Sequence, residues 1–524
     1  MACATPTLAG GLLTNTNQHV AFNRMMSREA SIGIDGVYYN PAGVVFMSEG
    51  HHLAINWQLA FQTRTINNDY ALFTNNVNNP ITPRDFKGTA FAPVIPSFQY
   101  AYNKGKWSFQ ASFALTGGGG KCTFDDGLGS FEKIVAETAI AACGLAGVVD
   151  QTLGNTLGQP GMEMFTSDQA FGKTGKYSFN SYMHGRQYYY GLSVGAAYKF
   201  CDNFSAFLGV RGVYALTNYY GYVENINVGN MPLYKVLDPT KESSANIELS
   251  CDQSGVGFTP IIGVDYKTGR WNFSAKYEFK TRIRLKNKSV NQTPSIGNLP
   301  ANLANQMTGI LTAKYQQAGL PLEQAKQQAE NTTNAVLNDP TVGATMMGLK
   351  TQFDQKLNKA IGEYEDGKKI AGDIPAYLAL GVGYSPVDAV RVNVGFHWFD
   401  DKNATSYNNR NKELKRGTLE YNAGVEVDVN KKITLSTGWQ NTNYGLSDEY
   451  MDDKSFVVSS NSVAIGGVYH INKKMDLNVA YFHTFYQHKK TTETVQLTAD
   501  RSLNYSSDYT RNNNVFAVGL DINF

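Results

Sequence analysis

Long apolar runs are missing from this sequence. No window approaches 18 consecutive apolar residues, so a membrane-spanning helix is not expected. Charge is scarce and balanced, with 46 Lys and Arg against 44 Asp and Glu in a chain only 17% charged. A net charge of +2 offers no basic face to a nucleic acid and no polybasic membrane anchor. Cysteine is sparse: Cys3, Cys122, Cys143, Cys201 and Cys251 form no CxxC pair and no zinc spacing. An odd, scattered set is no disulfide framework, so isolated small hydrophobes or loop thiols are expected. The histidines (His19, His51, His52, His184, His397, His470, His483, His488) fit no metal spacing, and no GxSxG occurs. The acidic pairs Asp125-Asp126, Asp400-Asp401 and Asp452-Asp453 read as solvated loop charge. The chain is therefore expected to be no enzyme, with no metal and no cofactor. The start lacks a charged segment followed by an apolar core, so a mature or trimmed chain is expected.

What is abundant is glycine and aromatic: 50 Gly, 31 Tyr and 28 Phe. That mixture suits strands and turns. A hairpin pattern recurs six times, at 94–115, 188–216, 257–279, 376–399, 419–440 and 462–485. Each is an alternating strand, a short polar turn and a second alternating strand. Each arm is about ten residues, the length of a tilted strand crossing a bilayer. Segments 51–63 and 514–524 add one strand at each end, making fourteen, an even number as bacterial barrels have. In 106–116, Trp107, Phe109, Ala111, Phe113 and Leu115 alternate with Ser108, Gln110, Ser112, Ala114 and Thr116. One apolar and one polar face follow. A mean hydropathy of −0.32 is compatible with this, because only alternate residues would face lipid.

The connections are asymmetric. Turns inside hairpins are roughly two to five residues. Between hairpins lie 64–93, 117–187, 217–256, 286–375, 400–418, 441–461 and 486–513. Short turns at one rim and long loops at the other are the pattern of outer-membrane barrels. Tyr100, Tyr102, Trp107, Tyr198, Tyr266, Trp271 and Tyr384 cluster beside the turns, as an interfacial girdle would. Apolar residues at three- and four-residue steps predict helices over 131–152 and within 302–366, either as caps on the mouth or as a ligand groove. Arg211, Lys276, Lys280 and Arg391 fall on the polar, lumenal face by alternation. Lumenal acids such as Glu278 and Glu426 are their expected partners.

These residues resemble the FadL family, the bacterial outer-membrane transporters of long-chain fatty acids and aromatic hydrocarbons. The resemblance begins at SREASIGIDGVYYNPAGVVFM (27–47), with Asn40-Pro41-Ala42 matching the family's plug element. It continues through GFTPIIGVDYKTGRWNFSAKYEFK, IPAYLALGVGYSP, VEVDVNKKITLSTGW and the last strand. It implies an all-β fold: a 14-stranded antiparallel transmembrane β-barrel (48–524) with an N-terminal hatch (1–47) and partly helical outer loops, chiefly 117–187, 217–256 and 286–375. It implies uptake of hydrophobic small molecules, long-chain fatty acids or related lipids and hydrocarbons, with release sideways through the wall near the third strand. That strand runs into Gly117, Gly118, Gly119 and Gly120, where pairing can break and beside which Asn40-Pro41-Ala42 would sit. Gly221 stands near where the family's fatty-acid transporters carry an arginine, so the cargo stays open. A monomer in the bacterial outer membrane is expected, with periplasmic termini and surrounded by lipid and lipopolysaccharide. The alternative function is a plugged barrel that docks surface or secreted proteins at its outer loops.

Overall fold

The computed structural model describes residues 12–294, 296–498 and 500–524; Cys3 and the start of the hatch lie outside them. Eighteen hydrogen-bonded segments build fourteen wall strands, because three strands are each interrupted once and one segment is a two-residue bridge. In chain order they are β1 (Gly50–Tyr70), β2 (Arg84–Lys104), β3 (Trp107–Phe124), β4 (Tyr177–Cys201), β5 (Phe204–Val228) and β6 (Ile247–Thr268). There follow β7 (Trp271–Glu278, resumed at Arg284–Gln292), β8 (Lys369–Ala371, then Tyr377–Val387), β9 (Val390–Phe399) and β10 (Thr418–Asn430). The last are β11 (Ile433–Asn443), β12 (Ser460–Asn472), β13 (Met475–Tyr486, resumed at Lys489–Thr498) and β14 (Arg501–Asn523). Each strand pairs antiparallel with its neighbour in sequence. β14 closes on β1 from His52↔Asn523 to Tyr70↔Tyr505. Closure leaves no sheet edge facing lipid, as a bilayer-spanning sheet requires.

All six hairpins stand where the alternation puts them. The strands, however, are often twice the expected ten residues. β1 and β2 have 21 each, β4 and β5 have 25, β6 has 22 and β14 has 23. β9 to β12 keep 10 to 13. The spans 64–93, 217–256 and 486–513 are therefore largely wall rather than loop.

The reason the sequence hid them is an inversion of the alternation. Near the short turns the apolar side chains point outward: Ile55, Trp57 and Phe61 on β1, Phe258, Ile262 and Val264 on β6. Farther up the same strands they point inward and are buried: Ile66 and Tyr70 on β1, Leu249 and Cys251 on β6, Tyr505 and Tyr509 on β14. A wall facing lipid must be apolar outside; a wall standing above the membrane faces water, so its apolar set turns to the interior.

That interior holds α3 (Gly129–Leu157), on which α5 (Leu322–Leu337) and α6 (Pro340–Ile361) pack, with α4 (Leu299–Gln317) against α5. Two shorter helices, α1 (Val20–Met25) and α2 (Gly36–Tyr39), belong to the hatch. At 29 residues and a mean hydropathy of 1.4, α3 is long and apolar enough to cross a membrane, contrary to the expectation from apolar runs. It lies inside the outer wall instead. Its Asp150 carboxylate accepts the N–H groups of Met164, Phe165 and Thr166 at 2.8–3.0 Å, and its Glu132 accepts from Tyr177 Oη at 2.9 Å.

Candidate functional site

Residues 14–45 are almost wholly buried inside the barrel. Polar side chains on the inner wall bond to the hatch backbone. Gln99 donates to Gln18 O at 2.7 Å, Asn103 to Val44 O at 2.8 Å and Asn272 to Ala30 O at 2.8 Å. The fit is close enough to need glycine on the wall: a Cβ at Gly424 or Gly438 would run into the Met25 carbonyl.

Asn40-Pro41-Ala42 forms one end of this packing. Asn40 donates to Asp265 at 2.6 Å and receives the Gly43 N–H at 3.2 Å. The Pro41 carbonyl accepts from Gln110 and that of Ala42 from Ser205, each at 2.7 Å. The tripeptide thus meets β3, β5 and β6 near the short turns.

Ion pairs hold the hatch's middle. Glu426 on β10 receives the Arg24 guanidinium, lies 3.7 Å from Arg28, and receives Arg391 Nε at 2.7 Å. His397 on β9 is fully buried between the hatch carboxylate Glu29 (2.7 Å) and Glu420 on β10 (2.8 Å). Of the four lumenal cations singled out from sequence, Lys280 donates to the Asn403 carbonyl at 3.1 Å, and the other three are all paired. Arg211 is bidentate to Glu278 at 2.6 and 3.0 Å. Lys276 donates to the Tyr38 carbonyl at 2.6 Å and to Glu278 at 3.0 Å. Arg391 adds Asp428 at 2.5 and 2.7 Å. They anchor the hatch and the wall, leaving no free cation among the three.

Gly117 to Gly120 sit where the wall is broken. β2 pairs with β3 from Gly88↔Phe124 to Phe91↔Lys121 and again from Ser97↔Ala114, with no pairing between. The gap faces Pro93 and Pro96 on β2, and Gly118 (φ 74°) and Gly119 (φ 134°) adopt backbone that favours glycine. On its other side β3 shifts register twice against β4, around Thr116 and around Gly119.

Hatch residues enter this gap. Thr14 bridges Gly117 antiparallel, and the Asn15 N–H bonds Thr116 O at 2.9 Å. Asn15 Nδ2 reaches Gly118 O at 2.6 Å and Leu115 O at 3.2 Å. Asn40-Pro41-Ala42, expected beside the glycines, is not there: its partner Gln110 precedes Gly117 by seven residues of strand. Sequence reasoning also missed Arg24, Arg28, Glu29, His397 and Asn15. Inward alternation marks His397, and the adjacent charges Arg28-Glu29 were a signal for those two alone.

An apolar cluster backs the gap. Phe22, Met26, Tyr38 and Tyr39 of the hatch pack with Ala92, Ile95 and Leu115 at the gap, and these with Tyr188 and Tyr190 on the outer face. Leu13 packs nearby against the inner-wall set Tyr189, Leu285, Ile370 and Ile374.

Two chambers lie above. The upper one, among the loop helices, encloses about 860 Å³ with its mouth and is lined by apolar side chains, including Val135, Leu145, Val149, Phe165, Phe171 and Phe353. Beneath it a vestibule of about 2990 Å³, mouth included, is lined by Glu363, Asp373, Asp401, Asp452 and Asp453 with Arg410, and has Leu13 and Tyr189 in one corner. A continuous apolar tunnel is therefore not formed; Ile134 borders both chambers.

Asp453 ties the β11–β12 loop to α3 by accepting the Ser130 N–H at 2.8 Å. Burial, reinforced by the charge of Asp452, pushes its carboxyl up to about 7. Burial also opposes ionisation of Asp452, but Lys454 and Arg410 outweigh it and hold that carboxyl well below the usual range. Folding thus raises the Asp453 pKa above its unfolded value of about 3.9, so its stabilisation is full below that value and is lost as pH rises through about 7. Hydrogen-exchange protection of the first turns of α3, corrected for intrinsic rate, should be higher at pH 5.5 than at pH 8. Asp453→Asn should flatten that difference; an unchanged slope in the variant would assign the dependence elsewhere.

No family model matches the chain, and no curated protein matches it in sequence. Among solved structures, a Pseudomonas aeruginosa FadL homologue aligns with a TM-score of 0.60 at 13% identity, covering 98% of this chain and 100% of that one. The TodX deltaS2S3 mutant, a monoaromatic hydrocarbon channel, aligns with a TM-score of 0.50 at 12% identity, covering 96% and 98%. At these identities the likeness is one of fold. With its fourteen strands closed around a hatch, this chain has the fold of the FadL-family barrels.

Proposed function

We propose that the protein is a bacterial outer-membrane transporter, not an enzyme, that takes up hydrophobic small molecules and releases them sideways through the β2–β3 gap. The observation that carries this reading is the apolar cluster running from the hatch through the wall to Tyr188 and Tyr190. Moving apolar surface into water costs about 25 cal/mol per Å², so a path that stays apolar across the wall favours such cargo over ions or sugars. The upper chamber supplies a first apolar site, and Leu13 occupies the kind of surface cargo would take at the gap. Among the described residues the chamber's apolar lining contains no charged side chain, which favours uncharged hydrocarbons over fatty-acid anions. In this reading the hatch end must withdraw from the gap before cargo passes, and both termini lie on the periplasmic side.

The bridge between Thr14 and Gly117 offers a direct test. Antiparallel partners have Cα atoms about 4.5–5.5 Å apart, within disulfide range. A Thr14→Cys, Gly117→Cys chain in a Cys201→Ser background should lose uptake of a labelled aromatic hydrocarbon when oxidised and regain it on reduction. Equal uptake in both states, with the crosslink verified by mass, would remove the lateral route and favour the docking role at the outer loops.

A further inference from the structure

The inversion of the alternation marks the upper edge of the lipid-facing band. On the wall from β4 to β6 the continuous run of outward apolar side chains ends at Tyr188 and Tyr190, at Tyr214 and Leu216, and at Val256, with Tyr182, Tyr220 and Tyr222 farther up. The outward positions just above are Arg186 on β4, Asn218 on β5 and Ser254 on β6, and cations from the flanking strands stand beside them. Lys121 on β3 stands opposite Arg186 on β4, and Lys286 on β7 stands between Ser254 of β6 and Lys369 of β8. Along β7 every outward position from 282 to 288 is Arg or Lys, while Ile283, Leu285 and Asn287 between them are buried.

The surface here is hollow. A concavity of about 1350 Å³, mouth included, is lined by Arg186, Tyr188, Tyr190, Tyr214, Lys286 and Lys288. Its acids already have donors: Asp252 accepts from Asn218 and Asp366 from the Ser289 N–H, each at 2.8 Å. Arg284, lower on β7, is paired with Asp373 at 2.9 Å. On the other half of the circumference several outward positions near the top of the band are neutral, among them Thr63, Asn441, Asn461, Asn512 and Asn514. Lys87 on β2 and Lys490 on β13 are also outward and exposed, so what marks this sector is the hollow, which gathers Arg186, Lys286 and Lys288.

We propose that this hollow binds the phosphorylated sugar headgroup of a lipopolysaccharide molecule in the outer leaflet, with its acyl chains lying on Tyr214, Leu216 and Val256. Charge complementarity selects the phosphates: Arg186 offers a planar fork suited to bidentate contact, and Lys286 and Lys288 add point charges. The tyrosines give sugar rings flat faces and hydroxyls at the depth where an interfacial girdle belongs. The apolar stripe directly below is what separates a lipid from a soluble anion, since basic pockets set against a hydrophobic wall take lipid headgroups. This inference needs the outer-membrane placement but not the passage of cargo.

The test uses the full chain in detergent, with bound lipid counted by native mass spectrometry. The probes are bisphosphorylated lipid A, lipid A stripped of its phosphates, and inorganic phosphate as competitor. The exposed triple variant Arg186→Gln, Lys286→Gln, Lys288→Gln should bind bisphosphorylated lipid A about tenfold or more weakly, while keeping its heat-modifiable gel migration. The stripped lipid should bind wild type and variant alike. Equal binding of bisphosphorylated lipid A to both proteins would overturn the site. Full competition by millimolar inorganic phosphate would overturn the lipid in favour of a small-anion site. Should the transport reading fail by the disulfide test, this result would be untouched.

Discussion

A chain lacking residues 1–40 is expected to conduct ions steadily across a planar bilayer, while the intact chain holds the current at baseline. Fourteen strands enclose a lumen too wide for wall side chains to fill, and the hatch fills it. The wall behind the hatch is polar. Asn56, Gln58, Gln99, Asn103, Gln110 and Asn272 are all buried and all bond to hatch residues. Without residues 1–40, Asn56, Gln58, Gln99 and Asn272 would have to be hydrated, because a buried unpaired amide costs about 1–3 kcal/mol. Water would therefore enter, and ions with it. The vestibule above is polar and continuous with this space at Leu12 and Asp401, where the Leu12 N–H bonds the carboxylate at 3.3 Å. Baseline current in a correctly folded truncated chain would mean that the helices over the mouth seal the barrel by themselves.

How much of this was legible in the sequence follows from where lipid imposes its rule. Inside the membrane an outward apolar face is obligatory, so every spanning hairpin shows period two and every one was found. Above the membrane that constraint ends. In 62–70, Gln62, Arg64, Asn68 and Tyr70 point inward along with Ile66, and the outward set Thr63, Thr65, Asn67 and Asp69 is polar. Such a stretch looks like a loop until its partner strand is known. The loop helices were legible because their three- and four-residue steps are independent of the membrane; 131–152 became Gly129–Leu157.

The site was legible only in part, for a related reason. Glycine next to β3 advertised weak pairing, and the wall does open there. What fills the opening could not be read, because Thr14 and Asn15 act through contacts with residues about a hundred positions away. Alternation pointed Arg211, Lys276 and Arg391 into the lumen, and their acidic partners Glu278 and Glu426 followed from the cost of an unpaired buried charge. The hatch's share of that network stayed hidden, since Arg24, Arg28 and Glu29 lie in a segment with no strand period to orient them.

Glu426→Gln is expected to loosen the hatch while leaving the wall intact. The Glu426 carboxylate gathers three guanidiniums, two from the hatch and one from its neighbouring strand β9. Arg28 keeps Asp35 at 2.7 Å and Arg391 keeps Asp428 at 2.5 Å once the charge is gone. Arg24 is different: its remaining bonds, to Ser436 at 2.9 Å and Asn478 at 3.3 Å, are to neutral groups, and it is buried. Removing one partner of a buried ion pair typically costs about 3–5 kcal/mol, because the other charge is left uncompensated. The wall need not bear that cost, since β10 stays paired with β9 and β11 along its length. Hydrogen-exchange protection over residues 20–46 should therefore fall by two or more orders of magnitude, about 1.4 kcal/mol being a factor of ten, with the barrel's melting temperature little changed. Single-channel records should show brief openings absent from the wild type. The double variant Arg24→Gln, Glu426→Gln removes the stranded charge and should recover much of the protection. If Glu426→Gln alone leaves both protection and baseline current at wild-type values, the hatch is held by backbone hydrogen bonds and packing, and the ion pairs only set its register.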